Sequence, residues 1–155
     1  VYGKDPQFLN HDYQNLREFF SEMEISAAWF ENPYSAIWEK YVFIAAFSLM
    51  TAYSGKTIGG VIEDSTFHKL TENIMQEIVM IARSKDISLK QDIIETSMQV
   101  AKRFPYDTTT SFQKDYLKGN NKNEGDIFGG TLIRMAQEYG IAVPAITEIY
   151  SKLIS

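Results

Sequence analysis

The stretch SAIWEKYVFIAAFSLMTAYSG, residues 35–55, decides the fold. Between Ala36 and Tyr53 the apolar residues fall on every side of a helical wheel, and the only charges are Glu39 and Lys40. A helix that is apolar all round is buried, and eighteen residues would span about 27 Å, the width of a small domain. The stretch therefore predicts a long buried helix at about residues 34–53, with the rest of the core packed around it.

The same stretch is too short to cross a membrane. Its uninterrupted apolar run, Tyr41 to Tyr53, falls below the roughly 20 residues of a spanning helix. The polar N-terminus, VYGKDPQFLNHD, has no signal-peptide pattern, although a chain that starts with valine can be a fragment. We expect a cytoplasmic protein that neither enters nor coats a membrane.

Composition excludes several classes of function. The 155 residues suffice for one domain, and the net charge of −5 without a basic cluster argues against a nucleic-acid partner. Without cysteine there is no disulfide, no thiolate nucleophile and no zinc site of the Cys type. The two histidines, His11 and His68, lack ligand-like neighbours, so no metal site is predicted.

Apolar periodicity and capping residues predict an all-α domain of six to eight helices. An entry strand or linker precedes them up to Asn10, and Ile25–Phe30 is expected to be extended. The Lys56 to Asp64 segment should hold a turn or half-helix, and Gly129-Gly130 should be a close-packing site. Besides the long helix, the predicted helices are Asp12–Met23, Ser65–Ser84, Ser88 to the stop at Phe104-Pro105, Ser111–Lys118, Glu124 or Asp126 to Tyr139, and Pro144–Ile154.

Lys40 is the first candidate for chemistry. Burial among Trp38, Tyr41 and Phe43 would disfavour its charged form and let it act as a general acid near neutrality. Alternatively, its long stem reaches the surface and pairs with a carboxylate. The residue pattern leaves both alternatives open.

Further polar residues could share a pocket with Lys40. Ser48 and Thr51 fall on the same side of the helix as Lys40, with Ile44 between Lys40 and Ser48. Ser111 and Glu124 stand near predicted helix starts, where a cap and the helix dipole explain them without any function. No G-x-G-x-x-G and no G-x-x-x-x-G-K-[ST] occurs, so this chain has no recognisable nucleotide site of its own.

Five short motifs, in this order, resemble one known family. They are W-E-K at Trp38–Lys40, T-A at Thr51-Ala52 with a following Gly55, S-F-Q-K-D at Ser111–Asp115, N-E-G-D at Asn123–Asp126, and G-I-A-V-P at Gly140–Pro144. Together they are similar to the C-terminal half of ketopantoate reductase (2-dehydropantoate 2-reductase), in register from about Val1 to the end.

The resemblance implies a helical domain of the type that ends 6-phosphogluconate dehydrogenase, here residues 1–155. An N-terminal Rossmann domain of the same parent chain would bind NADPH and lies outside this sequence. Hydride would reduce ketopantoate to pantoate, a step of pantothenate and coenzyme A biosynthesis. Lys40 would protonate the alkoxide, Ser111 would bind the substrate carboxylate, and Glu124 would order the substrate and the cofactor. The isolated domain should be inactive.

The family commonly has substrate-binding asparagines where this chain has Ile44 and Ser48. These two residues should therefore line the substrate site and set its specificity. A paralogous reductase of another small 2-keto acid is one alternative function. Another is a helical dimerisation module without chemistry, and a homodimer is compatible with either.

Overall fold

A computed structural model describes residues 2–4, 13–30, 32–119 and 125–154. Helices dominate it, as predicted, and the strands are two residues long. In chain order the elements are β1 (Tyr2–Gly3), α1 (Gln14–Glu22), β2 (Trp29–Phe30), α2 (Pro33–Ser54), α3 (Ile58–Glu63), α4 (Ser65–Ser84), α5 (Ile93–Ala101), α6 (Ser111–Leu117), a π-helical turn (Asp126–Gly130), α7 (Thr131–Glu138) and α8 (Pro144–Ile154).

The predicted long buried helix is confirmed as α2. Its N-terminus is capped by Asn32, whose side chain accepts the N–H of Tyr34 at 3.1 Å, and Pro33 occupies the first turn. Gly55 ends the helix with a φ of 69°, a left-handed conformation that glycine adopts without strain. Every residue from Ala45 to Ala52 is buried.

The remaining helices pack around α2. Contacts with it come from α3, α4, α5, α6, α8 and the π-helical turn. The partner α4 is amphipathic and buries the stripe Ile74, Ile78 and Ile81 against the core. The apolar face of α4 and the all-round apolar surface of α2 therefore create one continuous core.

The helices α4 and α5 begin differently from what residue preferences suggest. Helix α4 begins at Ser65 as predicted, but its cap is Asp64, whose carboxylate accepts the N–H groups of Thr66 and Phe67. Helix α5 starts at Ile93 rather than Ser88. The reason is packing, because Ile87 is buried in the core from the extended segment that precedes α5. Burial there outweighs the capping preference of Ser88.

The N-terminal segment agrees with its prediction only in outline. Helix α1 lies within the predicted range, while most of the predicted entry segment before it is outside the described residues. Only Trp29 and Phe30 of the predicted extended piece form a strand, and β2 pairs in parallel with β1. A parallel partner 27 residues away leaves no local pattern in the sequence.

The predicted helix from Glu124 or Asp126 to Tyr139 is present in a different form. It opens with the π-helical turn and continues as α7 to Glu138. Gly129 and Gly130 allow this wide turn to approach its neighbours closely, since a Cβ on Gly129 would overlap the ring of Tyr150. The close-packing prediction for the glycine pair is confirmed.

No helix in the described ranges combines the length and the hydropathy of a membrane span. Nor do these residues bring together three histidine, aspartate or glutamate side chains that could hold a metal ion.

Candidate functional site

Lys40 lies at an exposed position in the second turn of α2. Of the two alternatives for Lys40, burial among aromatic side chains is therefore wrong for this chain, although the nearby Trp38 on the same helix is buried in the core. The predicted pairing with a carboxylate is absent among the described residues. Its neighbour Glu39 instead pairs with Lys90 at 3.2 Å. Lys40 thus presents an ammonium group at the surface of the core.

The polar side of α2 runs from this exposed ammonium into the interior. Ile44 is half-buried one turn after Lys40, and Ser48 is 3 % exposed one turn further on. Thr51 is fully buried and its hydroxyl donates to the carbonyl of Phe47 at 2.7 Å. We call Lys40, Ile44, Ser48 and Thr51 the α2 seam.

The seam ends at the start of α6. The hydroxyls of Thr51 and Thr110 are 2.8 Å apart, and Thr110 also caps α6 by accepting the N–H of Gln113. Because the Thr110 oxygen accepts from Gln113, its proton is free to point toward Thr51. This joint fixes Ser111, the exposed first residue of α6, beside the buried end of the seam.

Tyr41 ties the exposed end of α2 to the π-helical turn. Its hydroxyl donates to the backbone carbonyl of Ile127. Burial, together with the charge of Asp126, raises the pKa of Tyr41 to about 12. The phenol therefore remains a protonated donor throughout the physiological range, and its hydrogen bond holds the turn against α2.

Asp126 opens the π-helical turn and carries a strong ion pair. Both its carboxylate oxygens accept from Arg134, at 2.9 and 2.7 Å. Hydrogen bonding from Arg134 lowers the pKa of the Asp126 carboxyl, and Thr131 and Tyr150 act in the same direction. The pair joins the turn to α7, and the rings of Phe112 and Phe128, 5.6 Å apart, join it to α6.

The predicted site residues are only partly brought together. Thr51 contacts Thr110, the residue before Ser111, at one end of the seam, while Lys40 lies at the other, about 16 Å from Thr51 along the axis of α2. Glu124 lies outside the described residues. The arrangement offers a cationic group, an apolar wall at Ile44 and buried hydroxyls along one face.

Three clefts formed by described residues lie away from the seam. A cleft of about 580 Å³ separates α4 from the start of α8 around Glu77, and one of about 540 Å³ lies between Trp38 and Asp86. A smaller cleft of about 200 Å³ lies beside Gly59 and Tyr106. None of these three has Lys40, Ser48 or Ser111 in its wall, so the expected pocket is not one of them.

Sequence reasoning missed three residues that organise the site. Thr110 is the last of three adjacent threonines that could each cap a helix, so the sequence does not show which of them caps α6. Tyr41 was treated as an apolar neighbour of Lys40. A tyrosine in an otherwise apolar helix is a candidate for a buried hydrogen bond, because its hydroxyl usually has a partner when the ring is buried. Arg134 pairs with Asp126 across the change from π to α geometry, which residue spacing does not predict.

Comparison with known proteins identifies the family. The family described as "Ketopantoate reductase PanE/ApbA C terminal" matches residues 32–154, which is most of the chain and includes the whole seam. The chain belongs to this ketopantoate reductase C-terminal family. The all-α fold is the one that the family resemblance implied.

Individual relatives agree with the family assignment. The 2-dehydropantoate 2-reductase of Halobacterium salinarum is 27 % identical over 115 residues, which cover 74 % of this chain and 37 % of the relative. A crystal structure of 2-dehydropantoate 2-reductase from Methylococcus capsulatus is 25 % identical, with a TM-score of 0.79 over 98 % of this chain and 46 % of the other. This ketopantoate reductase C-terminal domain thus spans less than half the length of these relatives.

A third comparison extends the fold to another oxidoreductase. D-mandelate dehydrogenase, solved with NADH and anilino(oxo)acetate, has a TM-score of 0.78 over 91 % of this chain and 46 % of its own. At 20 % identity this likeness concerns the fold alone. The same helical architecture therefore occurs in enzymes named for different substrates.

Proposed function

We propose that the chain is the C-terminal catalytic domain of an NADPH-dependent reductase that converts 2-dehydropantoate to pantoate, for pantothenate and coenzyme A biosynthesis. The observation that carries the proposal is the family match over residues 32–154, within which Lys40 stands exposed at the head of α2. A parent chain with an N-terminal Rossmann domain supplies the cofactor site. Bound NADPH supplies the hydride to the ketone carbon.

In the proposed mechanism Lys40 acts on the substrate oxygen. Its ammonium stabilises the negative charge that develops there and delivers the proton that completes the alcohol. An exposed lysine suits this role only where another domain covers it, because exclusion of water strengthens the interaction. We therefore place the reaction in a cleft between the seam and the N-terminal domain.

The other proposed site residues bind rather than react. The Ser111 hydroxyl donates to the substrate carboxylate, and the joint between Thr51 and Thr110 holds it in place. Ser48 and Ile44 line the substrate, and Glu124 orders the substrate and the cofactor. The chain has no glycine-rich phosphate loop, so we assign the NADPH phosphates to the preceding domain.

The test of the mechanism is Lys40→Ala in the parent enzyme. Loss of a general acid should lower kcat by about 10²- to 10⁴-fold, measured as NADPH oxidation with ketopantoate. Lys90→Ala is the matched control, since it removes a surface ammonium that pairs with the adjacent Glu39. Unchanged turnover in the Lys40 variant would refute the role of proton donor.

A second candidate function is the reduction of a different 2-keto acid. Ile44 favours it, since a half-buried isoleucine between Lys40 and Ser48 offers an apolar wall and no hydrogen bond. An apolar wall should prefer a substrate without a hydroxyl at that point, because an unpaired hydroxyl loses its hydrogen bond to water. Comparing kcat/KM for ketopantoate and for aliphatic and aromatic 2-keto acids decides between the two. Ile44→Asn should shift the ratio toward ketopantoate.

A further inference from the structure

The cleft between Trp38 and Asp86 takes no part in the proposed reaction. Three parts of the chain form it, namely the start of α2, the connection between α4 and α5, and Met135 of α7. Its volume of about 540 Å³ lies within the range of small-molecule sites, about 300–1,000 Å³. Trp38 points away from Lys40, because two residues along a helix differ in direction by about 200°. The cleft is therefore large enough for a ligand of its own, on the other side of α2 from the seam.

One part of the cleft wall is apolar and aromatic. Trp38 and Ile87 belong to the core and are each 8 % exposed, and the half-buried Met135 lies beside them. Tyr34 adds a second ring from the first turn of α2. Aromatic rings and a flexible thioether adapt to flat or branched apolar groups. This part of the cleft therefore suits the apolar body of a ligand.

Two charges of opposite sign also line the cleft. Lys85 and Asp86 are neighbours in the chain, and neither forms an ion pair with another residue that the structure describes. The Lys85 ammonium lies 5.2 Å from the centre of the Tyr139 ring, which restrains it without neutralising its charge. The side chain of Asn32 caps α2 through its oxygen, which leaves its N–H groups as further donors. The cleft thus offers a ligand both cationic donors and an anionic acceptor.

Asp86 stands where the end of a helix normally has glycine. Its φ is 56°, in the left-handed region. The N–H of Asp86 donates to the carbonyl of Arg83, and the N–H of Ile87 donates to that of Ala82, both at 3.0 Å. Glycine is the usual residue at this position of such a motif, because a Cβ strains the positive φ. The aspartate accepts that strain and adds a carboxylate to the cleft, which is typical of a residue kept for binding.

We propose that this cleft binds an apolar α-amino acid in its zwitterionic form. The ligand carboxylate accepts from the ammonium of Lys85 and the amide of Asn32, and the ligand ammonium donates to the carboxylate of Asp86. The apolar side chain of the ligand packs on Trp38 and Met135. A simple carboxylic acid or a simple amine leaves one of the two charged residues without a partner. The inference does not depend on the proposed reductase activity.

Tryptophan fluorescence tests the proposal directly. The chain has two tryptophans, Trp29 and Trp38, so a Trp29→Phe variant reports on the cleft alone. L-Phenylalanine should change the emission of Trp38 saturably, with a Kd below about 1 mM. Phenylpropanoate and phenylethylamine, which lack the ammonium and the carboxylate respectively, should each bind at least about 10-fold more weakly. Emission that stays unchanged up to about 10 mM L-phenylalanine would overturn the proposal.

The choice of ligand tests each part of the cleft. L-Leucine should also bind, because its side chain is apolar, whereas L-glutamate and L-lysine should bind at least about 10-fold more weakly than L-phenylalanine. Equal affinities for the charged and the apolar amino acids would show that the apolar wall takes no part. Equal affinities for phenylpropanoate and L-phenylalanine would show that the ligand ammonium has no partner. Either result contradicts the proposed site.

Two substitutions in the Trp29→Phe background separate binding from folding. Asp86→Gly should weaken L-phenylalanine binding at least about 10-fold without lowering the Tm, because glycine adopts the positive φ without strain. Lys85→Met should weaken it to a similar extent. Lys90→Met is the matched control, since Lys90 follows in the same connection but does not line the cleft, and it should leave the affinity unchanged.

The same variants identify which ligand group each residue binds. Asp86→Gly should weaken phenylethylamine but not phenylpropanoate, since only the amine carries the positive charge that Asp86 binds. Lys85→Met should have the opposite pattern. An affinity for L-phenylalanine that survives Asp86→Gly would refute the role of the carboxylate, and with it the assignment of the ligand as a zwitterion.

Discussion

At the scale of single residues, a buried carboxylate on α4 holds the start of another helix. Glu77 is 6 % exposed, and its two oxygens accept the N–H groups of Ala145 and Ile146 at 2.8 and 2.9 Å. These are free donors in the first turn of α8, which begins at Pro144. The preceding residue, Val143, has no side-chain acceptor. Glu77 therefore supplies the missing cap from a distant part of the chain.

Removing this carboxylate should destabilise the domain. Glu77→Ala leaves two backbone N–H groups without a partner at the edge of the core, at an expected cost of about 2 kcal/mol in the free energy of unfolding. Glu148→Ala is the matched control, because Glu148 is exposed on α8 and its carboxylate pairs with Lys152 in the same helix. Urea denaturation of both variants provides the measurement, and equal midpoints would contradict the capping role.

The same residue should make stability depend on pH in a defined direction. Burial raises the pKa of Glu77 above its ordinary value of 4.5, against the hydrogen bonds from Ile146 and Ala145 that lower it. The native state then binds the proton more tightly than the unfolded state, so the free energy of unfolding falls as pH rises through the raised pKa.

A non-titrating variant isolates this contribution. Glu77→Gln has no proton to lose, so the stability of the wild-type chain relative to this variant should be greatest below pH 4.5 and decline above it. Denaturation of both chains on either side of that pH measures the difference. If the stability of the wild-type chain relative to Glu77→Gln instead grows with rising pH, the hydrogen bonds from the N–H groups lower the pKa of Glu77 by more than burial raises it.

The roles of Glu77 and Lys40 could not be predicted fully from the sequence. Glu77 stands one turn after Ile74 and next to Ile78 on the buried stripe of α4, so its position is unusual for an acid. Its partners lie 68 and 69 residues further along the chain, and no local pattern connects them. Lys40 presents the same difficulty, because an apolar sequence does not say at which turn a helix leaves the core.

At the scale of elements, the π-helical turn is held in a narrow space. A Cβ on Gly129 would overlap the ring of Tyr150 on α8, and one on Gly130 would overlap the carboxylate of Asp126. Tyr41 fixes the same turn from α2 through the carbonyl of Ile127. The turn therefore sets the spacing between α2 and α8.

An added methyl group at this turn should be costly. Gly129→Ala is expected to lower the free energy of unfolding by about 1–3 kcal/mol, because α8 must shift or Tyr150 must leave its rotamer. In a Tyr150→Ala background the additional cost should largely vanish, and the double-mutant cycle measures that coupling. Additive effects would refute the steric account.

A second glycine provides the control for the turn. Gly60 is also helical, but the neighbour nearest to its added Cβ would be the Cβ of Lys56 at 3.3 Å, well beyond the 2.2 Å found at Gly129. Gly60→Ala should therefore change the free energy of unfolding by less than about 1 kcal/mol. Alanine also lowers the conformational entropy of the unfolded chain, which favours folding.

Helix boundaries were predictable where a local rule determines them. Helix α2 has an apolar surface all round, a capping Asn32 with Pro33, and a terminal Gly55, and its predicted and observed limits nearly coincide. The start of α5 and the form of the turn before α7 depend on contacts with other elements, and there the predictions differ. The parallel pairing of β1 with β2 has no local signal at all.

At the scale of the whole molecule, helix α2 contributes to both the core and the candidate site. The interior of α2 holds α4, α6 and α8 together in one core. The seam begins on the outside at Lys40 and ends inside at Thr51. The fold should thus persist without a preceding domain, while a covered, water-poor reaction site requires one.

The isolated chain should therefore be folded and inactive. We expect cooperative thermal unfolding, no NADPH oxidation with ketopantoate, and NADPH binding at least about 100-fold weaker than that of the parent, a difference of about 2.8 kcal/mol. The reason is that the chain has no phosphate-binding loop and leaves Lys40 in contact with solvent. Calorimetric titration measures the binding, and the parent chain is the positive control. Tight NADPH binding by these 155 residues would place the cofactor site on the helical domain and contradict the proposed division of labour.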